Sequence, residues 1–443
     1  MLSDIIIRGL HGLYNYNIHF QNEQRVFIIT GPNGYGKTTI LKIIDHVLQC
    51  KFWYFSFLKF DEIKLGFQNG RSLIIRRETN EENVSEEISE AINTQEKIII
   101  ELYVADKDAP IESLVLGTTY GARLMRKYGS RYTSSGSIFY DAVLEETLER
   151  EYKTEDDSYL MENGKNIQLF LQELNCLYIQ QQRLLTNIFP ADPQNIYERR
   201  WGRMNVPEIN LIAQNLKELF AEKQRDFASK SQEIDATFIK RLMDTEKKAY
   251  CKEEFDAKLN NLKEKIENFK KYGLTPSIVI PNGYPEELQK VLSLYIDDME
   301  AKMAVFDVFY NQLAVFDSMI SNKALSNKKI LLNDNNGIVV VNDNDDRIPL
   351  NKLSSGEQNL IILYYKLVFS IRKNDLLLID EPENSLHAAW LTKMLDDYLD
   401  MADRLQCQII IATHSITFIN GEWDMTYDLY ENNNVSFQNW RID

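Results

Sequence analysis

The stretch Gly31-Pro-Asn-Gly-Tyr-Gly-Lys-Thr-Thr39 decides the fold class of this 443-residue chain. It follows the apolar run Arg25-Val-Phe-Ile-Ile-Thr30 and leads into a helical pattern over residues 39–49. A buried strand, a glycine-rich turn and a helix, in that order, predict a loop whose backbone N–H groups wrap a phosphate. Glycines suit this loop because a Cβ atom would obstruct the wrap.

The loop predicts a nucleoside triphosphate as ligand and Mg²⁺ as its metal ion. The Lys37 ammonium would face the β- and γ-phosphates, and the Thr38 hydroxyl would be a ligand of Mg²⁺. The residues expected to contact the nucleotide here are Gly31, Pro32, Asn33, Gly34, Tyr35, Gly36, Lys37, Thr38 and Thr39.

A pair of acids ends the apolar run Leu376-Leu-Leu-Ile-Asp380-Glu381. Burying charge at the end of a strand is costly, so a metal ion and an attacking water would give these carboxylates a purpose. We expect Asp380 to hold Mg²⁺, directly or through water, and Glu381 to orient and polarise the attacking water. The alternative is a solvated strand end.

His414 follows a third apolar run, Ile409-Ile-Ile-Ala-Thr413. A lone histidine is more often structural than catalytic. Here it follows its strand as Asp380 does, and the carboxyl ends of parallel strands share one edge of a sheet. We therefore predict that His414 senses the γ-phosphate in the same crevice.

The sequence Leu353-Ser-Ser-Gly-Glu-Gln358 precedes a helical pattern over residues 359–369. Alone, it predicts only a helix start with serine caps. A helix start with free N–H groups, Ser and Gly is also a phosphate-binding end. Its place in the chain adds weight, because this helix leads directly into the strand that ends at Asp380.

Together these motifs resemble the Walker A, signature, Walker B with D-loop, and H-loop of ATP-binding cassette (ABC) ATPases. The resemblance implies an α/β fold, namely an ABC-type P-loop ATPase head with an inserted helical hairpin or coiled-coil domain. It also implies that the chain binds ATP with Mg²⁺ and hydrolyses it. In this family the signature of one subunit completes the ATP site of another, so Ser354, Gly356 and Asn384 are expected at an interface between two heads.

Residues 178–184 resemble the Q-loop strand of such ATPases. The resemblance makes Gln182, within a run of three glutamines, the expected Mg²⁺-facing glutamine.

The layout of the motifs narrows the resemblance. The wide separation of Lys37 from Asp380 implies a large insertion, as in RecF-like and overcoming-lysogenization-defect ATPases. Within that branch, residues 9–20 and the glycine loop most resemble the ATPase subunit of the antiphage system PARIS, with the Septu and retron-associated ATPases as alternatives. This implies a homo-oligomeric sensor or scaffold, triggered by a phage protein, that controls a toprim-type or HNH-type nuclease in trans. The rivals are a RecF-like DNA repair ATPase, a scaffold in which ATP is structural and turnover incidental, and a transporter cassette.

The middle of the chain is charge-rich and helical in pattern. We predict an N-terminal lobe of the head at 1–205, a helical insertion at 206–325 and a C-terminal lobe at 326–443. Two core helices of one compact domain are the alternative. Apolar residues spaced by four and three predict one seam, and a glycine- and proline-containing break over 271–285 separates it from a return helix. The seam is Phe255, Leu259, Leu262, Ile266 and Phe269; the return face is Leu288, Leu292, Tyr295, Met299, Phe306, Leu313 and Ile320.

Composition limits the partners. A formal net charge of −16 argues against a chain that coats nucleic acid, which leaves DNA binding uncertain. The net charge does not exclude a local basic groove at one of two clusters of basic residues. The alternative is that both clusters lie on solvated faces. The clusters are Arg71, Arg76 and Arg77, and Arg123, Arg126, Lys127 and Arg131.

Other features predict a cytoplasmic protein without a membrane partner. No apolar run approaches the roughly 18 residues of a membrane span, and the start lacks a secretion signal. The stretch after His414 is shorter than an ordinary domain, so we expect no fused toprim nuclease. The cysteines lack metal-binding spacing, which predicts reduced, mostly buried thiols. They are Cys50, Cys176, Cys251 and Cys407.

Overall fold

The computed structural model describes residues 1–21, 24–79, 96–105, 107–117, 163–181, 184–188, 204–243, 249–274, 279–281, 283–321 and 327–433. The strands in these ranges are β1 (Leu2–Leu10), β2 (Tyr14–His19), β3 (Val26–Thr30), β4 (Glu62–Phe67), β5 (Arg71–Thr79), β6 (Glu96–Val104), β7 (Glu112–Gly117), β8 (Cys176–Ile179), β9 (Leu185–Ile188), β10 (Met204–Pro207), β11 (Lys328–Asn333), β12 (Gly337–Asn342), β13 (Arg347–Ile348), β14 (Leu376–Asp380), β15 (Gln408–Ala412) and β16 (Thr426–Asp428). The helices are α1 (Lys37–Leu48), α2 (Lys165–Gln172), α3 (Glu208–Leu242), α4 (Lys252–Lys270), α5 (Gln289–Ser321), α6 (Ser355–Phe369), α7 (Ala388–Leu391), α8 (Met394–Leu405) and α9 (Ile416–Ile419).

The chain divides into two compact units. The first contains residues 1–181, 371–384 and 388–443, and the second contains residues 182–370 and 385–387. Helices α3, α4 and α5 lie within the predicted insertion 206–325. That the stretches 1–205, 206–325 and 326–443 are separate domains stays a prediction.

A parallel sheet forms the centre of the first unit, with strand order β16-β3-β15-β14-β8 in the described part of the chain. Every residue of β3, β14 and β15 is buried, as continuous apolar runs predict. The register pairs Asp380 with Ala412, and Ala412 with Ile29. The carboxyl ends of these strands are therefore level, and whatever follows each strand lies at one edge.

An antiparallel sheet with strand order β2-β1-β4-β5-β6-β7 also belongs to the first unit. The predicted Asn-Gly turn joins β4 to β5 and holds Gly70 at φ 76°. The apolar faces of this sheet, of the parallel sheet and of α1 share one hydrophobic core. Strand β7 and helix α2 fall in a stretch whose sequence pattern is too weak to predict them.

The arginines of β5 have partners within the chain. Arg76 pairs with Glu62 at 2.7 Å and with Glu101 at 2.5 Å, and Arg77 donates to main-chain carbonyls. Arg71 lies 3.6 Å from Glu173. This cluster is paired rather than a free basic groove, and the second cluster, at 123–131, lies outside the described residues.

The second unit contains the three long helices, α6 and the hairpin β11–β12. The predicted seam of α4 is buried at all five positions. The hairpin turn approaches α3 so closely that a Cβ on Gly337 (φ 67°) would lie 2.0 Å from the Ala213 carbonyl oxygen. Glycine is therefore required at this turn.

The predicted face of α5 is correct only in its later part. Met299, Phe306, Leu313 and Ile320 are buried, as predicted. Leu288 precedes the helix and is exposed, and Leu292 and Tyr295 are only half-buried. The helix contacts α3, α4, α6 and β11, so several sides of it are covered and a single stripe describes it poorly. The other buried apolar residues of α5 are Leu294, Ile296, Met303, Phe309, Phe316 and Met319.

Two further observations bear on the sequence predictions. The prediction of mostly buried thiols is correct only for Cys407, since Cys50 and Cys176 are half-buried and Cys251, whose thiol caps the start of α4, is exposed. Within the described ranges, no helix is long and apolar enough to cross a membrane.

Candidate functional site

The glycine loop joins β3 to α1 and closes around the Lys37 ammonium. Lys37 is 6% exposed, and its Nζ donates to the carbonyl oxygens of Gly31 at 2.7 Å and Pro32 at 3.2 Å. Gly34 has φ 89°, and a Cβ built there meets nothing within 4 Å. The loop therefore has the backbone conformation that favours glycine and open space beside it, as a phosphate cradle requires.

Several groups hold the loop in place. Tyr16 donates its hydroxyl proton to the Tyr35 carbonyl at 2.7 Å, and the Tyr35 ring packs against the rings of Tyr14 and Tyr430. The hydroxyl of Thr39 lies 3.4 Å from Nε2 of His11. Side chains of β2 and of the segments around it thus hold the glycine loop in place.

Thr38 and Asp380 meet at the start of α1 and the end of β14. The Thr38 hydroxyl lies 3.0 Å and 3.1 Å from the two oxygens of Asp380, and the Tyr178 hydroxyl lies 3.4 Å from Oδ2. Asp380 is 2% exposed, and burial raises its pKa to about 6. The carboxylate is therefore poorly compensated by its protein neighbours, as expected for a group that awaits a cation.

Burial also acts on the cation of the loop. It lowers the pKa of Lys37, although the carboxylates of Glu381 and Asp380 act in the opposite direction. A triphosphate beside Lys37 would add negative charge and favour the ammonium form.

Glu381 lies directly after β14 in a left-handed backbone conformation, φ 43°. Its Oε1 is 3.3 Å from Nδ1 of His414, and its Oε2 accepts a hydrogen bond from the side-chain amide of Gln181. A non-glycine residue in this conformation is strained, and such strain clusters at functional sites. The ends of β8, β14 and β15 thus bring an amide, a carboxylate and an imidazole together.

The sequence predictions for this edge fare differently. Thr38, Asp380, Glu381 and His414 lie together, and the Asn384 side-chain amide donates to the Gln181 carbonyl at 3.4 Å. Gln182, the predicted Mg²⁺-facing glutamine, lies outside the described residues.

Three contacting residues were missed by the sequence analysis: Tyr178, Gln181 and Glu383. Gln181 and Glu383 are direct neighbours in sequence of residues already singled out, which is the one signal available for them.

Ser354 and Gly356 lie at the start of α6, in the second unit. Ser354 is the N-cap, and its hydroxyl and backbone N–H each lie 2.9 Å from Oε2 of Glu357, whose own N–H donates back to the hydroxyl. Lys328 holds the other oxygen of Glu357 at 2.5 Å. Burial raises the pKa of Glu357, but Lys328 and Ser354 outweigh it and hold the pKa below its ordinary value.

The residues of the first unit fit a nucleotide with Mg²⁺. Among the described residues no group of three or more His, Cys, Asp or Glu side chains forms a metal cage. Mg²⁺ bound with a nucleotide needs none, since phosphate oxygens and waters supply most of its ligands beside one or two protein oxygens. Thr38 and Asp380 supply such oxygens.

Comparison with known proteins decides the family. The model of the AAA ATPase domain matches residues 1–419 of the chain. The protein belongs to the AAA ATPase domain family. This ATPase has the α/β P-loop head fold with helical segments, and it is an ATP hydrolase. No curated protein matches its sequence.

Solved structures of Smc heads are similar to this ATPase at low identity. One, an Smc head bound to the C-winged helix domain of ScpA, is 12% identical with a TM-score of 0.36, covering 94% of this chain and 90% of that one. Another, an Smc head with an extended coiled coil bound to the C-terminal domain of ScpA from Pyrococcus furiosus, is 15% identical with a TM-score of 0.34 and the same coverage, 94% and 90%.

Proposed function

We propose that this ATPase hydrolyses ATP at composite sites, each built from the glycine loop of one copy and the start of α6 of a second copy. The observation that carries the catalytic half is the contact of Thr38 with Asp380, with Glu381 and His414 at the same edge. Three segments distant in sequence converge there, and each contributes a group that phosphoryl transfer uses.

Each residue of the first unit has a role that follows from its place. Lys37 neutralises charge on the β- and γ-phosphates, and Thr38 and Asp380 would hold Mg²⁺. When bound, Mg²⁺ neutralises charge on the phosphate oxygens. Glu381 orients and polarises the attacking water, and His414 contacts the γ-phosphate.

The start of α6 supplies the other half of the site. Its first-turn N–H groups and the positive end of its dipole favour an anion. Ser354 and Gly356 stand at this end, with Ser354 held by the capping box. We assign them to the γ-phosphate bound by a second copy, and Asn384 to the same interface.

A mixing experiment tests the composite site. The Lys37→Ala chain keeps an intact α6, and the Ser354→Arg chain keeps an intact glycine loop. Each variant alone should lose turnover, and Ser354→Arg should still bind ATP. An equimolar mixture should recover about a quarter of the wild-type rate, because half of the pairs then contain one complete site.

The control is a mixture of Lys37→Ala with Glu381→Gln. Both changes damage the same half of the site, so no pair contains an intact site and no turnover should return. Recovery in neither mixture, or full activity of Ser354→Arg alone, would contradict the composite site.

We further propose that this ATPase is the sensor or scaffold subunit of an antiphage complex whose nuclease, of toprim or HNH type, is a separate chain. The support is the sequence resemblance of residues 9–20 and the glycine loop to such subunits. Cells that express the ATPase with its neighbouring nuclease gene should resist phage, and the Glu381→Gln variant should change that resistance. Equal phage growth with and without the pair would contradict this role.

The same variants separate the rival functions. A RecF-like repair ATPase predicts turnover that DNA stimulates, and the internal pairing of Arg76 and Arg77 gives no support for a groove there. A scaffold with structural ATP predicts full cellular effect from Glu381→Gln despite lost hydrolysis.

A further inference from the structure

Glu383 contributes a carboxylate to the nucleotide edge of the first unit to which no role has been given above. Its side chain is only 9% exposed. Oε1 accepts a hydrogen bond from the Thr413 hydroxyl at 2.5 Å and another from the His414 backbone N–H at 3.3 Å. Within the described residues Oε2 is buried without a hydrogen-bond partner.

These contacts alone do not explain a charged residue. A buried carboxylate costs more than a buried amide unless a cation or several donors compensate it. A glutamine would accept the same two hydrogen bonds without that cost. The negative charge therefore points to a positively charged or proton-donating neighbour.

Lys37 also interacts with the charge of Glu383, but its ammonium donates to carbonyl oxygens of the glycine loop. The neighbour within ion-pair distance is the imidazole of His414. Its Nδ1 lies 3.6 Å from Oε1 of Glu383 and 3.3 Å from Oε1 of Glu381. Two carboxylates facing one ring nitrogen favour a proton on that nitrogen. The other ring nitrogen, Nε2, is then the one left for a ligand, as when a carboxylate fixes the tautomer of a metal-bound histidine.

We propose that Glu383 is a positioning residue for ATP hydrolysis, which fixes the Thr413–His414 turn through its two hydrogen bonds and, together with Glu381, favours the proton on Nδ1 of His414 so that Nε2 meets the γ-phosphate. This inference rests on the proposed role of His414 at the nucleotide. Glu383 itself touches neither the nucleotide nor the attacking water.

The Glu383→Gln variant tests the charge at constant shape. Loss of a carboxylate that orients a catalytic histidine should lower kcat about 10–100-fold, by analogy with the outer ligands of metal sites. The KM for ATP should change by less than about twofold, because Glu383 contributes no group of its own to the nucleotide and its charge is only one of several carboxylates that act on Lys37. The exposed Glu422→Gln change, in the same unit, is the matched control and should leave turnover at the wild-type level.

A double-mutant cycle shows whether Glu383 acts through His414. If it does, adding Glu383→Gln to His414→Ala should cause no further loss of kcat. Wild-type kcat in Glu383→Gln, or a loss that multiplies in full with that of His414→Ala, would overturn the proposal.

Thr413 gives a second test that does not alter Glu383. Thr413→Ser keeps the hydroxyl that donates to Oε1 and should retain the wild-type kcat. Thr413→Val removes that hydroxyl and should lower kcat in part. Unchanged ATP binding by both variants would show that they are folded. Equal kcat in the two variants would count against the proposal.

Lys37→Ala and Glu381→Gln distinguish a failure here from a failure of the proposed function. If both abolish turnover while Glu383→Gln does not, only the role of Glu383 is wrong. If Lys37→Ala still turns over ATP, the catalytic site itself is wrong.

Discussion

Asp380 and Glu357 are both buried carboxylates beside a hydroxyl, yet their surroundings shift their pKa values in opposite directions. Burial raises the pKa of Asp380 to about 6, because hydrogen bonds from Thr38 and Tyr178 compensate it only in part. Burial acts on Glu357 too, but Lys328 and the capping Ser354 outweigh it and lower its pKa. Thus the nucleotide edge of the first unit compensates the charge of Asp380 only in part. The start of α6, in the second unit, compensates the charge of Glu357 fully.

The difference separates a carboxylate placed to meet a ligand, Asp380, from a carboxylate that supports a helix end, Glu357. The proposed phosphate contacts of Ser354 and Gly356 depend on that helix end. At the nucleotide edge, burial of Asp380 outweighs the groups that stabilise its charge, and Glu381 is strained at φ 43°. Changes there should affect ATP turnover more than stability. At the start of α6, the capping box is complete, so changes to its supports should affect stability first.

The largest expected effect is on turnover at the nucleotide edge. Glu381→Gln keeps the shape of the side chain and removes the base, so kcat should fall about 10²–10⁴-fold, as for loss of a general base. Steady-state ATP hydrolysis measures this. ATP affinity, measured by fluorescence titration, should stay unchanged, and a kcat near the wild-type value would place the catalytic base elsewhere.

Thr38→Val should weaken the use of Mg²⁺. The valine removes both a metal ligand and a donor to Asp380, so half-maximal turnover should need about 10–100-fold more Mg²⁺, as for loss of a hydrogen bond to a charged group. Titration of ATPase activity with Mg²⁺ measures this. Thr38→Ser keeps the hydroxyl and serves as the control; an unchanged Mg²⁺ requirement in the valine variant would contradict the assignment.

Lys328→Met should destabilise the protein by about 1–3 kcal/mol at pH 7, because it leaves the buried Glu357 carboxylate without its cation. The folded-state pKa of Glu357 is lowered, so its pairing stabilises the protein above the unfolded-state pKa and is lost as the pH falls through the folded-state value. The difference from wild type should therefore shrink below about pH 4.

Urea unfolding of Lys328→Met at a series of pH values measures this difference. The adjacent, exposed Lys329→Met is the control and should match the wild type. A deficit that stays constant as the pH falls would contradict the ion pair as its cause.

The smallest expected effect concerns backbone strain at Glu381. Because φ 43° suits glycine, Glu381→Gly should be about 1 kcal/mol more stable than Glu381→Ala. Both variants lack the carboxylate, so urea unfolding isolates the backbone term. If Glu381→Ala were instead the more stable variant by about 0.5–1 kcal/mol, the entropy difference between alanine and glycine alone, the conformation would carry no strain.

The sequence predicts those parts of the site that follow strands. The continuous apolar runs at β3, β14 and β15 identify buried parallel strands, and level strand ends then bring Thr38, Asp380 and His414 together. Gln181 and Glu383 were missed because backbone register and side-chain direction after a strand decide which of several adjacent polar residues turns inward. No periodicity carries that information.

The long helices show the same limit. The α4 seam follows from spacing because it packs mainly against one helix, α5. Burial in the early part of α5 does not follow from spacing. Several neighbours cover this helix, so the positions of those neighbours, and not a heptad, decide which residues are buried. The contact between Lys328 and Glu357 joins a strand to the start of a helix. Such a pair cannot be predicted from composition.

Strands that are adjacent in the parallel sheet are synthesised at very different times. Strand β3 lies between β15 and β16, yet both of these strands are made long after it. At about 5–20 residues per second, β3 emerges from the ribosome roughly 20–80 s before β15. The nascent glycine loop therefore waits for its neighbours with an apolar strand exposed, and chaperones that hold such strands should matter more for its yield than for that of a protein whose sheet pairs locally.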